Sequence, residues 1–227
     1  GYSLEAKGEH DKAISAYDEA LRLDPKDKAA WYGKGIALQA QEKYDDAIKA
    51  YDEALKIDRN NSFYWNNKGI ALQAQEKYDD AIKAYDEAIR LDKNSFRAWD
   101  NKGIALQAQG RYDEAIKAYD EAIRLDKNYS SAWNNKASAL QAEARYDDAI
   151  KAYDEAIKLD PKNPDYWANK GYVNIVDGNY DEAITAYQEA LKLDPENAEY
   201  WYNMGTALEA QKKYDEAITA YDKAINL

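Results

Sequence analysis

Along the whole chain, apolar and small residues recur in two alternating stretches. In residues 28–61, Trp31, Gly35 and Leu38 fall at i, i+4 and i+7, while Tyr44, Ala47, Ile48, Tyr51, Ala54 and Leu55 follow the i, i+3, i+4, i+7 series. Both spacings put the apolar side chains on one face of a helix. Gln41-Glu42-Lys43 separates the stretches, and Gly8, Gly110 and Gly178 stand where Glu42 does, as a helix C-terminus favours. Asp45-Asp46 opens the second stretch, where carboxylates complement the helix dipole. Asp27, Asn61, Ser95, Asn163 and Asn197 are candidate N-caps, with Pro25, Pro161 and Pro195 just before and Pro164 at a first helical position. The pattern predicts helix–turn–helix units.

Those units repeat. Trp31, Trp65, Trp99, Trp133, Trp167 and Trp201 are each 34 residues apart, and a fixed period of this size predicts stacked repeats. With Trp at position 4, full units are 28–61, 62–95, 96–129, 130–163 and 164–197, flanked by partial units 1–27 and 198–227. The whole of 1–227 therefore reads as one solenoid domain without linkers, giving fourteen helical segments, the first one short. A lone helical hairpin leaves an apolar face unburied, so each unit must stack on the next. Gly35, Gly69, Gly103, Gly171 and Gly205 are expected to face Ala47, Ala81, Ala115, Ala183 and Ala217 where two helices approach closely.

Trp at 4, Gly at 8, Leu at 11, Tyr at 17, Ala at 20, Tyr at 24 and Ala at 27 resemble the tetratricopeptide repeat family. In 62–95 these are Trp65, Gly69, Leu72, Tyr78, Ala81, Tyr85 and Ala88, with Lys93 where the family often has Pro. The resemblance covers the chain. It implies an all-α, right-handed superhelical solenoid whose first helices line a concave groove, and binding of segments of other proteins. Lys34, Lys68, Lys102, Lys136 and Lys170 depart from the family's usual Leu at position 7. A Lys three residues after a Trp can lay its stem on the core and its ammonium near the indole face, so these read as packing.

Charge and composition narrow the function. The net charge of −12 disfavours nucleic acid and anionic membrane surfaces. The absence of Cys removes thiol chemistry and zinc–thiolate sites. No apolar run approaches the roughly 20 residues that span a bilayer, and we expect a cytoplasmic protein; Gly1 in place of an initiating Met suggests a trimmed chain. The lone His10 occupies a Tyr position of the repeat, and Asp45-Asp46 recurs as a helix-opening feature, so no catalytic constellation is expected. Asp58-x-Asn60-x-Ser62 and Asp126-x-Asn128-x-Ser130 imitate a calcium loop but lack its Gly and final Glu. No metal or cofactor is expected. Asp45 with Lys49, Asp52 with Lys56, Asp79 with Lys83 and Asp120 with Arg124 are read as solvated i, i+4 pairs.

The informative positions are 2, 5, 6, 9, 12 and 13. Position 6 carries Asn67, Asn101, Asn135, Asn169 and Asn203, interrupted by Gly33. An exposed amide can pair with both the N–H and C=O of a passing backbone, so this ladder predicts a grip on an extended peptide or partner helix. By resemblance, tetratricopeptide proteins use Asn there for such a grip. Side-chain selectors would be Phe63, Asn66, Ile70 and Gln73, then Arg97, Asp100, Ile104 and Gln107. The chaperone-type dicarboxylate clamp is missing, since positions 5 and 9 lack its Lys and Asn. In the sixth unit Tyr172, Ile175 and Val176 make the groove more apolar, and Asp165, Glu199 and Glu209 make its end acidic, predicting a ligand with a basic flank.

Two other readings stand beside the binding module. Residues 65–94 and 99–128 differ at only four positions, which suits a self-assembling structural array, and the chain could be the recognition arm of a larger enzyme. The last second helix would leave part of the face of Ala217, Tyr221, Ala224 and Ile225 open, predicting weak end-to-end self-association.

Overall fold

The structure, a computed structural model, describes residues 1–5 and 7–227 and falls into two compact units. Unit one, residues 1–111, holds α1 (Tyr2–Glu5), α2 (His10–Leu23), α3 (Lys28–Ala40), α4 (Tyr44–Ile57), α5 (Ser62–Ala74), α6 (Tyr78–Leu91) and α7 (Phe96–Ala108). Unit two, residues 112–227, holds α8 (Tyr112–Leu125), α9 (Ser130–Ala142), α10 (Tyr146–Leu159), α11 (Pro164–Asp177), α12 (Tyr180–Leu193), α13 (Ala198–Ala210) and α14 (Tyr214–Ile225). These described elements are all helices, as predicted. Within each unit every helix packs on its neighbours in sequence, and the first helices also touch one another: α3 on α5 and α5 on α7 in unit one, α9 on α11 and α11 on α13 in unit two. Contact limited to adjacent repeats defines a helical solenoid, and the mutual contact of first helices makes theirs the inner layer of each unit.

The helix starts are chemically specified. Asp27 Oδ1 accepts from the amides of Ala29 and Ala30, Asn61 from Phe63 and Tyr64, Asn163 from Asp165, and Asn197 from Glu199 and Tyr200. Ser95 occupies the cap position before α7 but its hydroxyl makes no cap bond. Between the two helices of a repeat, one residue adopts the left-handed conformation: Gly8, Gly110 and Gly178, but also Glu42, Glu76, Ala144 and Lys212, with φ between 56° and 84°. A Cβ is strained there. Ala144→Gly should therefore raise stability by about 1 kcal/mol, read from urea unfolding; an unchanged midpoint would show that the turn bears no strain.

The Tyr at position 24 is buried in every repeat but the last, where Tyr221 is half-buried. The tight glycines meet these rings rather than the alanines expected from sequence: a Cβ on Gly69 would lie 2.5 Å from Tyr85 Cε1, one on Gly171 2.7 Å from Tyr187 Cε2, and one on Gly205 2.6 Å from Tyr221 Cε1. The reason is reach. The ring extends past its own helix into the notch, while Ala47, Ala81 and Ala183 are buried without filling it. From the notch the hydroxyl donates to position 12 of the first helix: Tyr51 to Gln39 at 3.0 Å, Tyr85 to Gln73 at 3.0 Å, Tyr153 to Gln141 at 3.4 Å and Tyr221 to Glu209 at 2.7 Å.

The position-7 lysines do more than pack. Lys34, Lys68, Lys102 and Lys136 hold their ammonium groups 5.4–5.6 Å from the Trp ring centroids. These four and Lys170 also pair with a carboxylate of the second helix before them: Lys34 with Asp18, Lys68 with Asp52, Lys102 with Asp86, Lys136 with Asp120 and Lys170 with Asp154. Gln41, Gln75 and Gln109 likewise donate to Asp11, Asp45 and Asp79 of the preceding repeat. The i, i+4 pairs are thus corrected. Asp52 and Asp120 serve neighbouring repeats, and the helix-surface pairs run i, i+3: Asp46–Lys49, Glu53–Lys56, Asp80–Lys83 and Glu121–Arg124.

Candidate functional site

Positions 2, 5, 6, 9 and 13 of the inner-layer helices range from exposed Phe63, Arg97, Tyr172 and Val176 to buried Asp100 and Ala168. The five ladder asparagines are half-buried rather than exposed. Three of them bond across repeats. Asn67 Nδ2 donates to Tyr32 Oη at 2.9 Å, Asn101 Nδ2 to Asn66 Oδ1 at 3.0 Å, and Asn169 Nδ2 to Asn134 Oδ1 at 3.0 Å. Position 6 therefore reaches position 5 of the repeat before it. Asn67 also donates to the carbonyl of Phe63, so both its amide hydrogens are used. Asn203 makes no such bond because Ala168, at position 5 of the preceding repeat, has no acceptor. Asn135 accepts from Asn134 at 3.5 Å. Gly33 interrupts the ladder for a steric reason: a side chain there would enter the ring of Tyr17.

In unit one, Phe63 and Arg97 at position 2 are exposed, Phe63 at 69%, while Ile70 and Ile104 at position 9 are half-buried. Asn66 is the acceptor for Asn101 and so is partly committed. Asp100 is corrected: at 3% exposure it is a buried carboxylate, not an open selector. Sequence reasoning passed over Tyr32, whose ring stacks at 4.7 Å on Tyr64 and at 5.9 Å on Tyr51 beside Asn67.

In unit two, Tyr172 and Val176 are exposed at 49% and 45% and Ile175 is half-buried. Asn174, which replaces the Leu of other repeats, is buried but satisfied, donating to the Lys170 carbonyl at 2.7 Å. Of the acidic residues at this end, Asp165 accepts from the Tyr200 hydroxyl and Glu209 from the Tyr221 hydroxyl, and Glu199 is exposed. On α14, Ala217 is buried, Tyr221 and Ala224 are half-buried and Ile225 is exposed, beside exposed Tyr214 and Ile218. Part of the expected face is thus open, at Ile225, and exposed surface continues onto Tyr214 and Ile218, while Ala217 packs in the core with α13.

Among the described residues no group of three or more His, Cys, Asp or Glu side chains could hold a metal ion, and no helix is long and apolar enough to cross a membrane. Half-buried amides beside exposed apolar and acidic groups suit recognition of a polypeptide.

A tetratricopeptide repeat model matches residues 1–62, 66–130, 134–189 and 175–226. The chain is similar to MamA in its crystal structure, with 26% identity, 70% of this chain and 92% of that one covered, and a TM-score of 0.65. It shares its fold with a tetratricopeptide repeat protein from Parabacteroides merdae ATCC 43184, at 17% identity over 99% and 89% of the two chains and a TM-score of 0.77. It also shares it with YrrB, described as a TPR protein with an unusual peptide-binding site, at 20% identity over 88% and 99% and a TM-score of 0.65. A search of curated protein sequences returned no match.

Proposed function

This chain belongs to the tetratricopeptide repeat family, whose members are protein-interaction repeat modules and generally not enzymes, and from that premise we propose that its inner helices bind an extended peptide through the asparagine ladder. The observation that carries the reading is the bond between repeats. At Asn101 and Asn169 it holds the amide in one orientation while one N–H stays uncommitted, so a passing backbone meets a pre-set donor with the carbonyl beside it. Pre-ordering removes part of the entropic cost of binding. Asn67, with both hydrogens used, contributes at most its carbonyl. Phe63, Arg97, Ile70 and Ile104 supply side-chain preference in unit one.

Asn203 is the clean probe, because its side chain bonds no other repeat and its removal leaves the stacking untouched. Peptides selected by phage display on the full chain should lose about five- to tenfold in affinity on Asn203→Ala, the effect of about one hydrogen bond. The thermal midpoint should not change, and the loss should be similar whatever the peptide's side chains. Selected peptides that bind Asn203→Ala, Asn101→Ala and Asn169→Ala as tightly as the parent chain would remove the ladder from the mechanism.

A further inference from the structure

The position-24 tyrosines donate to a Gln or Glu at position 12 in four repeats, but in the sixth that position is Ile175. Tyr187 is 1% exposed, its ring seated in the Gly171 notch like its sisters, and its hydroxyl has no protein partner. A buried hydroxyl without a partner is costly and uncommon. In the sister repeats the hydroxyl bonds the side chain of position 12; here that position is Ile175, which lies half-buried against the same core cluster as Tyr187. Beside Ile175 stand exposed Tyr172 and Val176, where other repeats carry Ile and Ala at one or both of these positions.

Charge selects the occupant. Asp165, Asp177, Glu199 and Glu209 lie on α11 and α13, and the Tyr187 phenol feels the charge of Glu199. The one basic residue of these two helices, Lys170, is tied to Asp154. No cation on either helix is free to offset the four carboxylates, and an extended segment crossing here is favoured when it carries Lys or Arg.

We propose that the inner face of α11 and α13 is a specific subsite for an extended peptide with a large aliphatic side chain next to basic residues. The aliphatic group covers Ile175, Val176 and Tyr172, and the basic groups pair with Glu199 and Asp165. This rests on the groove reading above and gives it a place and a ligand chemistry.

The test uses the full chain and a fluorescein-labelled Gly/Ser nonapeptide with Leu-Lys-Lys at its centre, followed by fluorescence anisotropy. Ile175→Gln supplies the internal acceptor found in the other repeats, so it should keep or raise the thermal midpoint while weakening the peptide tenfold or more. Tyr187→Phe, which removes only the buried hydroxyl, should leave the peptide affinity unchanged without lowering the midpoint. Glu-Glu in place of Lys-Lys in the peptide should abolish binding. Equal affinity for Ile175→Gln and parent, equal affinity for the Glu-Glu peptide, or no binding of the Leu-Lys-Lys peptide overturns the subsite. If Asn203→Ala still weakens phage-selected peptides in that case, the ladder reading stands and this one alone falls.

Discussion

Gly69→Val should destabilise the protein by about 3 kcal/mol, the upper end of what overpacking a core costs. Even the first added carbon would lie 2.5 Å from Tyr85 Cε1, with further ring atoms within 3.0 Å. The ring cannot retreat without breaking the 3.0 Å bond from its hydroxyl to Gln73. The protein contains its own comparison. The fourth full repeat carries Ala137 at the same position, and there the matching bond, Tyr153 to Gln141, is stretched to 3.4 Å. One methyl group is thus accommodated by displacing the ring; two further methyls leave it no room. Urea unfolding monitored by circular dichroism measures the difference, and Ala137→Gly should be neutral or slightly stabilising. A Gly69→Val protein with the parent's midpoint would show that the notch is not filled in solution.

Raising the pH should unfold the chain cooperatively soon above the ordinary tyrosine range. Burial pushes the Tyr85, Tyr153 and Tyr187 phenols well above it, with Asp100 adding to the effect at Tyr85 and Glu199 at Tyr187. The unfolded chain releases these protons near pH 10, while the folded chain retains them. Stability from these groups is therefore complete below about pH 10 and falls as pH rises through the gap between the two states. Each phenol removes about 1.4 kcal/mol per pH unit, so the three together remove about 4 kcal/mol per unit. Lys49, Lys56 and Lys83, held protonated by Asp46, Glu53 and Asp80, act in the same direction. Tyrosinate absorbance and helical circular dichroism should change together. Gradual ionisation with helix retained would contradict the burial argument.

The helices, their order and their period were legible because a 34-residue repeat with Trp and Gly at fixed places leaves few alternative readings, and Asp27, Asn61, Asn163 and Asn197 cap as their chemistry implies. What stayed hidden were partners set by three-dimensional stacking. Nothing in the spacing says that Gly69 meets Tyr85 rather than Ala81, since all three belong to one small-and-aromatic pattern. The ladder asparagines were found by their recurrence, but their bonds join residues 35 apart, one past the period, and so escape an analysis made repeat by repeat. Asp100 looks like any variable polar residue at position 5, and its burial depends on neighbours that a single repeat does not contain. The Tyr187 hydroxyl had a visible signal, Ile175 where Gln recurs, which acquires meaning only once Tyr51 and Tyr85 are seen to use that Gln.

The joints formed by Lys34 with Asp18 and Lys68 with Asp52 consist of the same atoms in the same places. A 34-residue excision joining Lys34 directly to Gly69 recreates the Lys-Gly-Ile-Ala-Leu sequence found at 34–38 and 68–72. Unequal recombination between such stretches would lengthen or shorten the solenoid in whole repeats without requiring a new junction. Array length could then vary in whole repeats, while single repeats such as the sixth, where Ile175 stands in the place of the recurring Gln, can differ locally without disturbing the joints.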